Sequence, residues 1–110
     1  TRLNNFENAY AILTDYLKLA GDDYNLIVMA AEIAAHLQKF EEAIRYIEKA
    51  LGLNPNSAQL LTLLGDCYYA GGFLKSAQMG FEQALKVDPN FEPAKERLAQ
   101  IMDLQTARKE

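Results

Sequence analysis

The single histidine, His36, and the single cysteine, Cys67, are the scarce side chains that could support catalysis or metal binding. A zinc site needs three or four ligands drawn from His, Cys and carboxylates, and one histidine with one cysteine gives little support for such a site. Cys67 lies between Leu64 and Tyr68 on an apolar helical stripe, which favours core packing, and no histidine is spaced to activate it. The sequence therefore predicts neither an enzyme nor a metal or cofactor site.

Paired acidic residues and paired glycines give no stronger indication of catalysis. The carboxylates of Asp22-Asp23 and of Glu41-Glu42 are adjacent in sequence, so on a helix they diverge. Asp22-Asp23 are placed to cap a helix and to favour its positive N-terminal dipole. Gly71-Gly72 lacks the Lys and Ser/Thr of a phosphate-binding loop and is expected to end a helix instead.

The composition is that of one small globular domain over residues 1–110. Half of the residues are hydrophobic and 24% are charged, which is ordinary for a folded protein. The net charge of −4, without a basic block, disfavours nucleic acid and anionic membranes as partners. No run approaches the roughly 20 apolar residues of a membrane span, and no signal-peptide pattern is present. We therefore expect a cytoplasmic protein.

A repeat of 34 residues organises the chain, as the step from Ala43 to Ala77 illustrates. The same step joins Ala50 to Ala84 and Pro55 to Pro89. One step back, Phe6, Ala9, Leu13, Leu17 and Leu19 fall opposite Phe40, Ala43, Ile47, Leu51 and Leu53. The register predicts the second helix of an incomplete repeat in 1–23, full repeats in 24–57 and 58–91, and a capping helix in 92–110.

The residues of the second full repeat match a known signature, and they read Leu61, Leu64-Gly65, Tyr68, Ala77, Phe81 and Pro89. This pattern resembles the tetratricopeptide repeat. The segment 24–57 carries a weaker version, without the Leu-Gly pair and the aromatic. The resemblance implies an all-α, right-handed helical-repeat solenoid of antiparallel helix pairs with a C-terminal capping helix.

Apolar periodicity and turn residues place the helices at about 5–20, 24–37, 41–52, 58–71, 74–86 and 92–107. Gly65 and Ala77 are small where two helices must approach closely. Leu98, Ile101 and Met102 are expected to pack the last helix against the rest.

The register also begins in mid-repeat, because the unit before 24–57 would occupy −10 to 23. Together with the missing initiator Met, this favours a fragment of a longer protein. The helix that should cover the first one would then be absent. An uncovered apolar patch favours weak self-association through the N-terminal helix, and its residues would be Phe6, Ala9, Tyr10, Leu13 and Leu17.

The resemblance implies that the first helix of each pair lines a concave groove that binds a peptide of a partner protein. Helical spacing then gives the groove residues, which are Asn25, Val28, Met29, Glu32 and His36 in one repeat and Gln59, Thr62, Leu63, Asp66 and Tyr69 in the next. Glu96, Arg97 and Gln100 of the last helix are candidates to complete the wall. Tyr69 is the strongest candidate. Tyr68 fills the core position, so the next residue along the helix is expected to point away from the core, and exposed aromatic side chains are enriched in binding hot spots.

The charges in this groove indicate the kind of partner. Glu32 and Asp66 favour a neutral-to-basic or apolar peptide. They disfavour the acidic tails of heat-shock chaperones, which some tetratricopeptide domains hold with Lys, Asn and Arg. Two other functions stay open: an accessory or substrate-presenting domain of a larger enzyme such as a glycosyltransferase, and a secretion chaperone or assembly factor.

Overall fold

The computed structural model describes residues 2–21 and 23–109, and these form six α-helices in two compact units. Unit 1, Thr1–Pro55, contains α1 (Arg2–Ala20), α2 (Tyr24–His36) and α3 (Phe40–Leu53). Unit 2, Asn56–Glu110, contains α4 (Ala58–Ala70), α5 (Leu74–Val87) and α6 (Glu92–Lys109). All six expected helices are present, and no end differs from its expected position by more than three residues. That residues 1–110 form a single domain stays a prediction.

The helix caps follow the 34-residue register. The Asp23 carboxylate accepts a hydrogen bond from the Leu26 backbone N–H at 3.2 Å, and the Ser57 hydroxyl accepts one from Leu60 at 3.2 Å. These bonds satisfy amide groups that the first turns of α2 and α4 leave without an intrahelical partner. Asp22, the other residue expected to cap α2, lies outside the described residues.

The turn inside each helix pair needs one residue in the left-handed region. Gly72 takes a φ of +87° between α4 and α5. The equivalent position between α2 and α3 is Gln38, whose φ of +62° is less favourable for a residue that carries a Cβ. The Gly71-Gly72 helix stop is confirmed, since α4 ends at Ala70.

Unit 1 is held together by small residues of α2 packed against α3. Ala30, Ala31 and Ala34 of α2 are fully buried, as are Ala43 and Ala50 of α3, so the two backbones can approach closely. Between α1 and α3, the Tyr10 hydroxyl donates a hydrogen bond to the Glu42 carboxylate at 2.5 Å. The edge of the Tyr46 ring meets the Tyr10 ring, with centroids 6.4 Å apart.

The first helix corrects one expectation about its uncovered residues. Tyr10 and Leu13 are buried. Helix α1 packs on α2, and the Tyr10 side chain also contacts Glu42 and Tyr46 of α3. The expectation is therefore wrong for these two, while Phe6 and Ala9 are exposed and Leu17 is half-buried. The larger exposed apolar groups of α1 are instead Ile12, Tyr16 and Leu19. Self-association through this helix stays a prediction, and these three would carry it.

The Tyr10–Glu42 bond gives a testable pH dependence. Burial, foremost, and the neighbouring Glu42 raise the pKa of Tyr10 above its ordinary value of 10.0. The folded state therefore keeps the phenolic proton at a pH where the unfolded chain loses it, so stability falls as the pH rises above about 10.

We expect Tyr10→Phe to cost about 1–2 kcal/mol at pH 7, because Glu42 loses a charge-assisted hydrogen bond. The gap to the parent chain should narrow above about pH 10. Urea unfolding at several pH values measures both effects, and Tyr16→Phe, at an exposed tyrosine of the same helix, is the control. A gap that stays constant from pH 7 to about 11 would contradict this account of Tyr10.

Unit 2 is built around a close crossing of α4 and α5. A Cβ at Gly65 would lie 2.5 Å from Cε1 of the buried Phe81, and one at Gly80 would lie 3.1 Å from the Gly65 Cα. Phe81 joins Ala77 and Ile101 in the core, and Tyr68 packs against them. The expectation that Gly65 and Ala77 are small because helices meet there is confirmed.

The last helix packs through a set of residues that differs from the expected one, since Ala94 is fully buried in addition to Ile101. Ile101 is fully buried, and Leu98 packs against the unit 2 core. Met102 is 54% exposed, so its expected packing role is wrong. One helical residue turns a side chain by about 100°, which carries Met102 away from the side that Ile101 occupies.

Candidate functional site

The predicted groove residues of unit 2 lie on one side of α4, here called the α4 face: Gln59, Thr62, Leu63, Asp66 and Tyr69. Tyr69 is 41% exposed and Gln59 is exposed, while Leu63 and Asp66 are half-buried. Thr62 is buried, and its hydroxyl donates to the Ala58 carbonyl oxygen at 2.7 Å. Its expected place on an accessible surface is therefore wrong.

A cleft of about 410 Å³ opens beside the α4 face, between α4 and α6. We call it the unit 2 cleft, and its lining residues are Asp66, Tyr69, Phe81, Glu96, Arg97 and Gln100. The structure thus brings two α4 residues together with the three α6 residues that the sequence offered as candidates. Phe81, which the sequence assigned only to the core, also contributes to the lining.

An ion pair crosses the unit 2 cleft. The Arg97 Nε lies 2.5 Å from the Asp66 Oδ1, and the Arg97 Nη1 donates to the Pro93 carbonyl oxygen at 3.2 Å. Burial raises the pKa of the Asp66 carboxyl above its ordinary value, and Arg97 opposes this rise without cancelling it. The Arg97 guanidinium therefore forms an intramolecular ion pair with Asp66, and partial burial makes the charged form of that carboxyl less favourable.

A second, shallower concavity continues from the unit 2 cleft along α6. It measures about 340 Å³ and shares Tyr69 and Gln100 with the cleft, adding Asp103 and Leu104. The sequence interpretation missed these two residues. Their spacing from Gln100, three and four positions along one helix, is the signal that could have found them.

In unit 1, the predicted groove residues lie on one side of α2, here called the α2 face: Asn25, Val28, Met29, Glu32 and His36. Asn25, Met29, Glu32 and His36 are exposed and Val28 is half-buried, so each reaches the surface. The His36 ring stacks on Phe6 of α1, with centroids 5.3 Å apart and planes 7° from parallel. The sequence did not indicate this contact, which holds the last residue of α2 in place.

Unit 1 also has a polar concavity between α1 and α3 that the sequence did not predict. It measures about 420 Å³ and is lined by Tyr10, Thr14, Glu42, Arg45, Tyr46 and Lys49. The Lys39 ammonium lies 5.1 Å from the centre of the Tyr10 ring. The Tyr10–Glu42 hydrogen bond described above forms part of its wall.

His36 belongs to unit 1 and Cys67 to unit 2. Cys67 is buried, and burial raises the pKa of its thiol to about 11, which disfavours the reactive thiolate at neutral pH. Within residues 2–21 and 23–109, no group of three or more His, Cys, Asp or Glu side chains could hold a metal ion. No helix in the described part of the chain has the length and apolarity to cross a membrane.

The family follows from a comparison with protein-family models. Residues 34–101 match the model described as Tetratricopeptide repeat, which covers more than half of the chain. The chain therefore belongs to the tetratricopeptide repeat family, and its fold is an all-α helical repeat.

Solved structures of tetratricopeptide repeat domains are similar over most of the chain. The first such domain of Spaghetti (RPAP3), bound to the HSP90 peptide SRMEEVD, is 21% identical with a TM-score of 0.84, and the match covers 96% of this chain and 83% of that one. The second domain of human RPAP3, in complex with the HSP70 peptide SGPTIEEVD, is 24% identical with a TM-score of 0.81, covering 90% and 82%.

A third similar structure comes from a bacterium. The Yersinia enterocolitica type III secretion chaperone SycD, in complex with a peptide of the translocator YopD, is 15% identical with a TM-score of 0.79, and the match covers 97% of this chain and 84% of that one. Domains of this family are in general non-catalytic interaction modules. Because the sequence identities are below 25%, the structural similarity shows a shared fold alone.

Proposed function

We propose that the chain is a protein–protein interaction module that binds a peptide segment of a partner protein. In unit 2 the peptide binds the α4 face and the unit 2 cleft, and in unit 1 it binds the α2 face. The observation that supports this best is the cleft of about 410 Å³ beside the half-exposed ring of Tyr69. Three structures with the same fold hold peptides of other proteins, which supports the same class of function here.

The side chains of the two faces suit a peptide better than a small molecule. Tyr69 offers a large contact area with few rotatable bonds to immobilise, as binding surfaces require. Met29, which is 49% exposed, can adapt its shape to different side chains. The exposed carboxylate of Glu32 favours a neutral-to-basic or apolar partner by its charge. A cytoplasmic location stays a prediction, as do the enzyme-accessory and secretion-chaperone alternatives.

We expect Tyr69→Ala to weaken peptide binding by about 2 kcal/mol, close to thirtyfold, as the loss of an aromatic hot spot does. A peptide selected on the intact chain from a random phage-displayed library, then synthesised, is titrated by calorimetry. Tyr16→Ala is the matched control, because Tyr16 is also a half-exposed helical tyrosine but lies on α1.

The same titrations can reject the proposal. Lys86→Glu changes an exposed residue of α5 that belongs to neither proposed face and does not line the unit 2 cleft. If Tyr69→Ala binds the peptide like the parent chain, the α4 face is not the site, and a loss of binding with Lys86→Glu would indicate a site on α5 instead.

A further inference from the structure

The unit 2 cleft has a charge distribution that selects among peptides. Asp66 and Glu96 line it together with Arg97, and Asp103 lies in the concavity that continues from it. The two adjoining concavities thus contain three carboxylates and one guanidinium. That guanidinium is already paired with Asp66 at 2.5 Å, so the surface left for a partner is negative.

The pairing also decides what Arg97 can do. Oxygens of Asp66 and Pro93 already accept from two of the five N–H donors of Arg97, so an acidic peptide that pairs fully with the guanidinium must compete with the Asp66 carboxylate, whose side chain is 34% exposed. A partly buried carboxylate left without its partner is costly, so this exchange is unfavourable. Asp66 therefore acts as an internal competitor for the position that a peptide carboxylate would take on Arg97.

A cationic side chain meets suitable groups in the same place. The Glu96 and Asp103 carboxylates supply attraction, and the Tyr69 ring offers a face over which an ammonium or guanidinium can lie. Gln100, which lines both concavities, supplies an amide oxygen that accepts a hydrogen bond. The methylene stem of a lysine or arginine can pack beside Phe81.

We infer that the unit 2 cleft is a subsite for a lysine or arginine side chain of the partner peptide, and that Asp66 excludes acidic peptides by holding Arg97. This inference rests on the proposed function and names the partner's chemistry at that site. It assigns Asp66 the role of a specificity-determining residue.

The test uses two peptides that differ at three positions, where lysine replaces Glu or Asp. One is SAMEEVD, the sequence bound in a structural neighbour with its arginine replaced by alanine so that it carries no basic side chain, and the other is SAMKKVK, both with amidated C-termini. We expect the parent chain to bind the lysine peptide about tenfold more tightly or better, measured by fluorescence anisotropy at low salt. Asp66→Asn should weaken the lysine peptide and strengthen the acidic one, each by about fivefold, because Arg97 is released.

Glu96→Gln is the matched control, since it removes one negative charge from the same cleft without touching the ion pair. It should weaken the lysine peptide without strengthening the acidic one beyond about twofold. Circular dichroism verifies that both variants stay folded. Asn has nearly the shape of Asp, and the half-exposed Arg97 can be solvated when its partner is neutral.

The outcomes separate this inference from the proposed function. Tighter binding of the acidic peptide by the parent chain, no binding of the lysine peptide, or equal effects of Asp66→Asn and Glu96→Gln would each overturn the role of Asp66. The proposed function fails separately, if the library-selected peptide binds Tyr69→Ala like the parent chain.

Discussion

Replacing Gly65 by alanine is expected to destabilise unit 2 by about 1–3 kcal/mol, because the added methyl group overpacks the α4–α5 crossing. Its Cβ would lie 2.5 Å from Phe81, whose ring is buried in the unit 2 core. Urea unfolding measures the loss. Gly52→Ala is the control, since that helical glycine has no neighbour within 4 Å and should gain up to about 1 kcal/mol from helix propensity.

A second substitution should rescue the first. At the positions 34 residues earlier, unit 1 carries Ala31 and Ile47, both fully buried. A larger residue on the first helix thus accompanies a smaller one on the second. Gly65→Ala combined with Phe81→Ile reproduces this pair. The loss in free energy of unfolding of the double variant should be smaller than the sum of the two single losses by about 1 kcal/mol. Strict additivity would mean that the two positions do not share the close contact.

The other large effect concerns the attachment of the last helix. We expect Ile101→Ala to cost about 2–5 kcal/mol, because Ile101 is fully buried against Ala77 and Phe81 and its loss leaves a cavity. Met102→Ala, at the next and exposed position, should change stability by less than about 0.5 kcal/mol. Hydrogen exchange should show α6 losing protection in the first variant alone.

The same substitution links the fold to the site. Glu96, Arg97 and Gln100 reach the unit 2 cleft only while α6 is packed. Peptide binding should therefore weaken with Ile101→Ala although no peptide contact is changed. Equal losses of stability and of α6 protection in both variants would contradict the assignment of Ile101 as the anchor of this helix.

The repeat register was sufficient to predict the helices and their close contacts. A period of 34 residues equates Gly65 with Ala31 and Phe81 with Ile47, and small residues at helix crossings have a direct steric reason. Predicted caps and turns also hold, because Asp23 and Gly72 act within a few residues of chain.

Burial at particular positions was harder to predict, because it depends on which neighbours are present. Thr62 lies on the polar side of α4 by its spacing, yet it is buried with its hydroxyl bonded to the preceding turn. On α1, Tyr10 and Leu13 are buried, while Tyr16, equivalent to the buried Ala50, is exposed. The periodicity of apolar residues predicts which residues share one side of a helix, but it does not predict which side packs against a neighbouring helix.

The ion pair at the candidate site could not be derived from the register. The positions 34 residues before Asp66 and Arg97 carry Glu32 and Leu63, which cannot form an ion pair, so the repeat gives no precedent for this contact. The contact between Asp66 and Arg97 depends on how α6 docks, which Ile101 and Ala94 decide by burial. The sequence offered both residues for the groove wall, and it had no means of showing that they neutralise each other.

Mapping the bound peptide onto the chain by backbone amide chemical shifts tests the central claim most directly. A ¹⁵N-labelled chain is titrated with the library-selected peptide. We expect the largest shifts on Leu63, Asp66 and Tyr69 of α4 and on Gln100 of α6, with a second group on the α2 face. Shifts confined to the exposed sides of α3 and α5, around Glu48 and Glu82, would contradict it.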